Sequence, residues 1–140
     1  MAYLNFERAT QSEAAALVAQ DTLIFSTGSA SDLTVNLDVP PTPSTPGYIS
    51  ITKGATTLVF SYNAIAGAGL QGGAGFQFIA DGSVFFYGRD GADRRFGGSA
   101  NDQLIGGGGA DYFDGGNGND RLFGGDDGDT LIGAAGADYL

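Results

Sequence analysis

Cysteine and histidine are both missing from the 140 residues, and this pair of absences removes several chemistries at once. Disulfides and thiolate sites need the first, and imidazole bases and the common zinc sites need the second. Hard oxygen ligands are what remains for a metal. Long apolar runs are missing too: nowhere do 18 apolar residues follow one another, and the opening MAYLNFERAT holds Glu7 and no signal-peptide core. No membrane insertion is expected, and any export should use another route. Basic residues are scarce, 6 Lys and Arg against 16 Asp and Glu, for a net charge of -10. An acidic chain without a basic tract repels nucleic acid and anionic membrane, so its natural partners are cations. Neither HExxH nor GxSxG occurs, and the six carboxylates before Gly88 (Glu7, Glu13, Asp21, Asp32, Asp38 and Asp81) form no telling pair. The chain is read as not an enzyme.

Glycine is what it does have, unevenly. Of the 25 glycines, 9 lie in residues 1–87 and 16 in residues 88–140, so a module boundary is placed at Gly88. In 1–87, Thr10 and Glu13 have the spacing of a capping box, which predicts a short helix near 11–19. From Asp21 the texture turns to β. Thr22–Ser26 is one apolar run, Leu33–Val39 alternates, Pro40 to Pro46 bound a stiff loop, and Tyr48–Thr52 with Thr56–Tyr62 read as a hairpin around Lys53 and Gly54. Asn63–Gly75 reads as a loop, and Phe76–Ala80 with Ser83–Tyr87 as a second hairpin around Asp81 and Gly82. The aromatic residues Phe60, Tyr62, Phe76, Phe78, Phe85, Phe86 and Tyr87 fit the core of a small β module better than a sugar-binding groove.

Residues 88–140 repeat every nine: GRDGADRRF, GGSANDQLI, GGGGADYFD, GGNGNDRLF, GGDDGDTLI and a clipped GAAGADYL. Each unit opens with glycine and carries aspartate sixth: Asp93, Asp102, Asp111, Asp120, Asp129 and Asp138. Glycines at positions one, two and four permit positive φ and close backbone approach, so positions one to six can turn tightly, leaving seven to nine for a three-residue strand. Position eight faces a core in Leu104, Phe113, Leu122, Leu131 and Leu140. Arg95 is the exception, costly to bury, so the first coil is expected to meet the preceding module through an irregular strand. Counting back from Leu104 lands on Phe86, which puts the last strand of the first module in register with the array. Position nine (Phe96, Ile105, Phe123 and Ile132, broken by Asp114) points outward as an apolar stripe.

Two nonapeptides complete one coil, so turns 18 residues apart stack at roughly the 4.8 Å strand spacing. One edge carries the turns ending in Asp93, Asp111 and Asp129, the other those ending in Asp102, Asp120 and Asp138. Each gap between stacked turns is a cage of backbone carbonyls with a carboxylate from each turn, which suits Ca2+ over softer ions and over Mg2+. Besides the six aspartates, backbone oxygens of Gly106, Gly108, Gly115, Asn117, Gly124 and Asp126 are candidate ligands. Arg89, Ala100, Asp127 and Ala134 depart from glycine at positions two or four, and sites touching the first turn are the weakest.

The units resemble the GGxGxDxUx nonapeptide of RTX (repeats-in-toxin) calcium-binding proteins. That resemblance covers residues 88–140 and implies a parallel β-roll there; with residues 1–87 read from their own pattern as a small antiparallel β module with one short N-terminal helix, the chain is expected to be mainly all-β. The resemblance also implies type I secretion from a Gram-negative bacterium and folding on extracellular calcium. The array is cut inside a nonapeptide at Leu140 with no distal secretion signal after it, which makes a longer protein the expectation. The favoured role is a structural or surface protein (adhesin, surface-layer, matrix or filament type) capable of self-association. The alternatives are a non-catalytic part of an RTX hydrolase or toxin, or a lectin-like module.

Overall fold

The structure, a computed structural model, describes residues 3–16, 22–39, 47–61, 75–78 and 81–140. In chain order its elements are β1 (Tyr3–Asn5), α1 (Gln11–Ala15), β2 (Thr22–Phe25), β3 (Thr34–Val39), β4 (Tyr48–Lys53), β5 (Thr56–Ser61) and β6 (Gly75–Phe78). Then come β7 (Phe85–Tyr87), β8 (Arg94–Gly98), β9 (Gln103–Gly107), β10 (Tyr112–Asn117), β11 (Arg121–Gly125) and β12 (Thr130–Ala135). Among the described residues the chain is mostly β with one short α-helix, and its second part is a parallel β-roll.

The capping box forms as its spacing predicts. Glu13 N–H donates to the Thr10 hydroxyl, and the Glu13 carboxylate accepts from Thr10 N–H at 2.8 Å. The described helix ends at Ala15, and residues 17–19 of the expected one lie outside the described residues. Such a short helix needs tertiary support, and Gln11 provides it by bonding both N–H and C=O of Val59 in β5. β3, β4 and β5 form the antiparallel meander, with Lys53 opposite Thr56 at the hairpin end. The expected proline loop (40–46) and most of the loop from Asn63 fall outside the described residues.

A second sheet, ordered β1-β2-β6, is parallel throughout, and it corrects the hairpin expected around Asp81 and Gly82. β6 joins β2, whereas β7 joins β9 of the roll, so the two strands belong to different sheets. Gly82 does turn the chain, at φ 78°, but the strand after it is claimed by a partner 18 residues downstream. Phe6, Phe25, Leu33, Ile49, Ile51 and Phe60 fill the module core, with the Phe6 and Phe25 rings stacked at 4.8 Å.

The roll has two parallel sheets, β7-β9-β11 and β8-β10-β12. Every pairing is shifted by 18 residues: Phe86 with Leu104, Leu104 with Leu122, Arg95 with Phe113, and Phe113 with Leu131. The anticipated register of Phe86 holds. Between the sheets lie Phe86, Leu104, Phe113 and Leu122, all buried, with the Phe86 and Phe113 rings edge to face. β8 to β12 are longer than three residues, because positions one and two of the following unit continue the ladder. β8 is regular, correcting the irregular strand expected there: Arg95 lays its guanidinium 4.2 Å from the Phe86 ring centroid and donates to the Arg94 carbonyl. A cation on an aromatic face costs far less than one in hydrocarbon.

The outer face of β7-β9 is covered by the first module. Phe85, Tyr87 and Ile105 pack into that module's core, and the Gln103 side-chain nitrogen, in the amide orientation that satisfies it, donates to the carbonyls of Ala30 and Leu33. The position-nine stripe is consequently not continuous. Ile105 is half-buried under the module and shares a row with Phe123, while Phe96 and Ile132 flank Asp114 on the other sheet. Of the aromatic residues expected in a core, Phe60, Phe85, Phe86 and Tyr87 are buried. Tyr62 and the side chains of Phe76 and Phe78 lie outside the described residues.

Candidate metal centre

Glycine makes the turns possible in two distinct ways. At positions two and four φ is positive, as at Gly107 (102°) and Gly118 (126°), and Asp127 (75°) and Ala134 (68°) are held in that region where glycine is replaced. Aspartate tolerates the left-handed region better than alanine does. Arg89, Gly91 and Ala100 do not take positive φ, so the first turn and part of the second follow another backbone path. Position one is different: its φ is ordinary, and glycine is needed for space. A methyl at Gly106 would overlap the Asp111 carboxylate and the carbonyl oxygen of Gly124. The same clash recurs at Gly88 with Asp93 and Gly106, and at Gly97 with Asp102 and Gly115.

From Asp102 onward, the sixth-position aspartates use one oxygen to bridge successive turns. Oδ1 accepts the backbone N–H of the residue 18 positions earlier: Asp111 from Asp93 (2.7 Å), Asp120 from Asp102 (2.8 Å), Asp129 from Asp111 (2.9 Å) and Asp138 from Asp120 (3.0 Å). Asp102 does the same with Val84 at 2.6 Å. One oxygen thus fixes the spacing of two turns. The other stays free of hydrogen bonds: Oδ2 of Asp102, Asp111 and Asp120 is buried without a partner. A buried carboxylate oxygen with no donor is expensive, and those of Asp102 and Asp111 converge with a first-position carbonyl from the next turn (Gly115 and Gly124), which has no proton to give.

Burial is the largest cause raising these carboxyls above their ordinary range, in part opposed by the backbone N–H each accepts. Asp102 is pushed up to about 6, with Asp120 and Asp81 adding repulsion. Asp111 is raised with help from Asp129 and Asp93, and Asp120 with help from Asp138 and Asp114. These three buried carboxyls repel their neighbours along the two edges, and those of Asp102 and Asp111 also face carbonyl oxygens, so the sites call for positive charge. Oxygen-only donors with one or two carboxylates match a hard cation of Ca2+ type. Among the described residues no group of three or more carboxylates gathers at one point, so backbone oxygens must supply the rest of any shell.

The structure places the six aspartates on two edges: Asp93, Asp111 and Asp129 on one, Asp102, Asp120 and Asp138 on the other. Carbonyls of Gly106, Gly115 and Gly124 meet aspartate oxygens at the position-one clearances. Gly108 and Asn117 sit in the same turns, and Asp126 N–H donates to the Gly107 carbonyl at 2.9 Å. Two features were not read from the sequence. Second- and fourth-position carbonyls (Gly98, Ala100, Gly107 and Gly118) lean against the following turn, leaving no room there for a Cβ. Asn101 and Asn119 link successive turns through their side chains, Oδ1 accepting from Asn119 N–H at 2.7 Å and from Ala137 N–H at 2.8 Å. The recurrence of asparagine at position five, 18 residues apart, was the available signal.

Residues 81–104, 87–122 and 105–140 match the family model of the RTX calcium-binding nonapeptide repeat, with four copies found. Comparison with curated proteins and with solved structures gives no match to the chain.

Proposed function

Residues 81–140 are RTX calcium-binding nonapeptide repeats wound into a β-roll, and from that premise we propose a secreted, non-enzymatic structural or surface protein. Its roll folds fully only in extracellular calcium, and its N-terminal module supplies contacts or assembly. Export by a type I system follows from what such repeats usually accompany. The observation that carries the reading is the unpartnered, buried Oδ2 of Asp102, Asp111 and Asp120. Bound calcium would supply the positive charge these oxygens lack and remove their mutual repulsion, so much of the binding free energy becomes folding free energy. The residues holding it would be the sixth-position aspartates with carbonyls of the turns on either side.

Exposed Phe96, Phe123 and Ile132 support self-association of the folded roll. Circular dichroism through a calcium titration tests the mechanism: strand signal should rise from chelator to millimolar calcium, and an unchanged spectrum would sink it. Light scattering at high protein concentration in millimolar calcium tests the assembly, which a persistent monomer would exclude.

A further inference from the structure

The two edges of the roll are not built alike. On the edge ending in Asp102, Asp120 and Asp138, each gap is spanned by two side-chain bonds running in opposite directions. The later aspartate accepts from the earlier turn, Asp102 N–H to Asp120 at 2.8 Å and Asp120 N–H to Asp138 at 3.0 Å. The earlier asparagine accepts from the later turn, Asn119 N–H to Asn101 at 2.7 Å and Ala137 N–H to Asn119 at 2.8 Å. On the edge ending in Asp93, Asp111 and Asp129, position five is Ala92, Ala110 and Gly128, which offer no side-chain acceptor. The aspartate bonds recur there, with one long addition, Gly109 N–H to Asp127 Oδ2 at 3.3 Å. Backbone bonds cross the turns on both edges, Gly118 N–H to Ala135 on the first and Gly108 N–H to Arg89 and Asp126 N–H to Gly107 on the second, so the contrast lies in the side-chain ladder alone.

The asparagine ladder is also anchored. The Asn101 carbonyl accepts from the Ser29 hydroxyl at 2.9 Å and from Ser31 N–H at 3.3 Å, and Ala30 N–H donates to the Ser83 hydroxyl at 2.8 Å. A turn of the N-terminal module therefore clamps the first rung, and Asn101 and Asn119 pass that order along one edge.

Resting on the calcium reading above, we propose that the two edges take up calcium as separate classes. The Asn101–Asn119 edge holds its carbonyls and aspartates at the stacking distance before the ion arrives, and it binds tightly and first. The alanine edge lacks the asparagine ladder, so the ion must order it further, and part of the binding free energy is spent on that ordering. Asn101 and Asn119 act as positioning residues, not as ligands.

Calorimetric calcium titration of the full chain should resolve two classes. Asn119→Ala, which installs the residue the other edge already carries at Ala110, should weaken only the tighter class by about fivefold, the equivalent of one net hydrogen bond. Ala110→Asn should tighten only the weaker class, by accepting from Gly128 N–H, and it tests the idea even if Asn119→Ala folds poorly. A single class, or variants that leave both classes unmoved, would overturn the edge asymmetry while leaving calcium binding intact. No binding heat at all, together with no change in strand content, would remove both.

Discussion

Gly106→Ala separates the two uses of glycine in the turns. Its φ is ordinary, so alanine brings no backbone strain, and the whole effect comes from the space its methyl takes. That space is shared by the Asp111 carboxylate, whose Cγ would lie 2.8 Å away, and by the Gly124 carbonyl oxygen. The carboxylate can swing, but the carbonyl belongs to the ladder of the next turn and cannot move alone. Overpacking of this kind costs about 1–3 kcal/mol. Swinging Asp111 also breaks the 2.7 Å bond from Asp93 N–H, adding about 1 kcal/mol. Gly128→Ala is the control, since nothing lies within 4 Å of its added methyl and its φ is not positive. Reduced chain entropy should leave that variant neutral or more stable by about 0.4–1 kcal/mol. Urea unfolding in saturating calcium, paired with calcium titration, measures both quantities. Gly106→Ala should lose stability and bind calcium at least about tenfold more weakly, with Gly128→Ala unaffected. If Gly106→Ala bound calcium like the parent, the meeting of Asp111 Oδ2 with the Gly124 carbonyl would not be a metal site.

Three further outcomes are expected. Asp120→Asn keeps an acceptor for Asp102 N–H (2.8 Å) but removes a charge, so calcium affinity should fall by about tenfold or more while calcium-saturated dichroism stays unchanged. Burial raises the Asp102 carboxyl to about 6, above its unfolded value. Its contribution to calcium-free stability is therefore present below about pH 4 and lost as pH rises through 6. Calcium affinity, which needs the carboxylate, should climb over the same interval, measured by titrations at pH 5 and 7.5. Glu7 runs the other way: burial would raise it, but bonds from Lys53, its own backbone, and the Ser26 backbone and hydroxyl lower it to about 2. Its stabilisation is present above pH 4.5 and lost as pH falls towards 2. Glu7→Gln should cost about 1–3 kcal/mol, read from the urea midpoint at pH 7 and shrinking at pH 3.

The roll was legible because its information is periodic. A nine-residue beat with apolar position eight places Leu104, Phe113 and Leu122 inside, and 18-residue stacking places the aspartates on two edges without any knowledge of the rest. Arg95 was misjudged because the rule for a buried charge ignored the Phe86 face beside it, a contact across the coil that no local pattern contains. The parallel β1-β2-β6 sheet was illegible for a similar reason. Asp81 and Gly82 are good hairpin residues, but pairing is decided by which strand offers a complementary buried face, and both partners lie far away in sequence. Asn101 and Asn119 were visible and passed over because position five varies along the array, and only separation by edge reveals the order in it.

One three-residue strand explains why the two halves meet in a single arrangement. Successive side chains of a strand point to opposite faces, and in β7 both faces are claimed: Phe85 and Tyr87 enter the module core, and Phe86 enters the roll core. A slip of one residue would exchange these assignments, putting Tyr87 or Phe85 against Leu104 and Phe86 into the module, so both cores reject it together. Ile105 and Gln103 on β9 extend the same contact, the first by packing and the second by bonding Ala30 and Leu33. The module thus presents the roll with a first rung already in register. The Ser29 and Ser31 bonds to Asn101 then set the height of the first turn on the asparagine edge. Order introduced at one strand propagates in steps of 18 residues, and each later turn inherits its position from the one before.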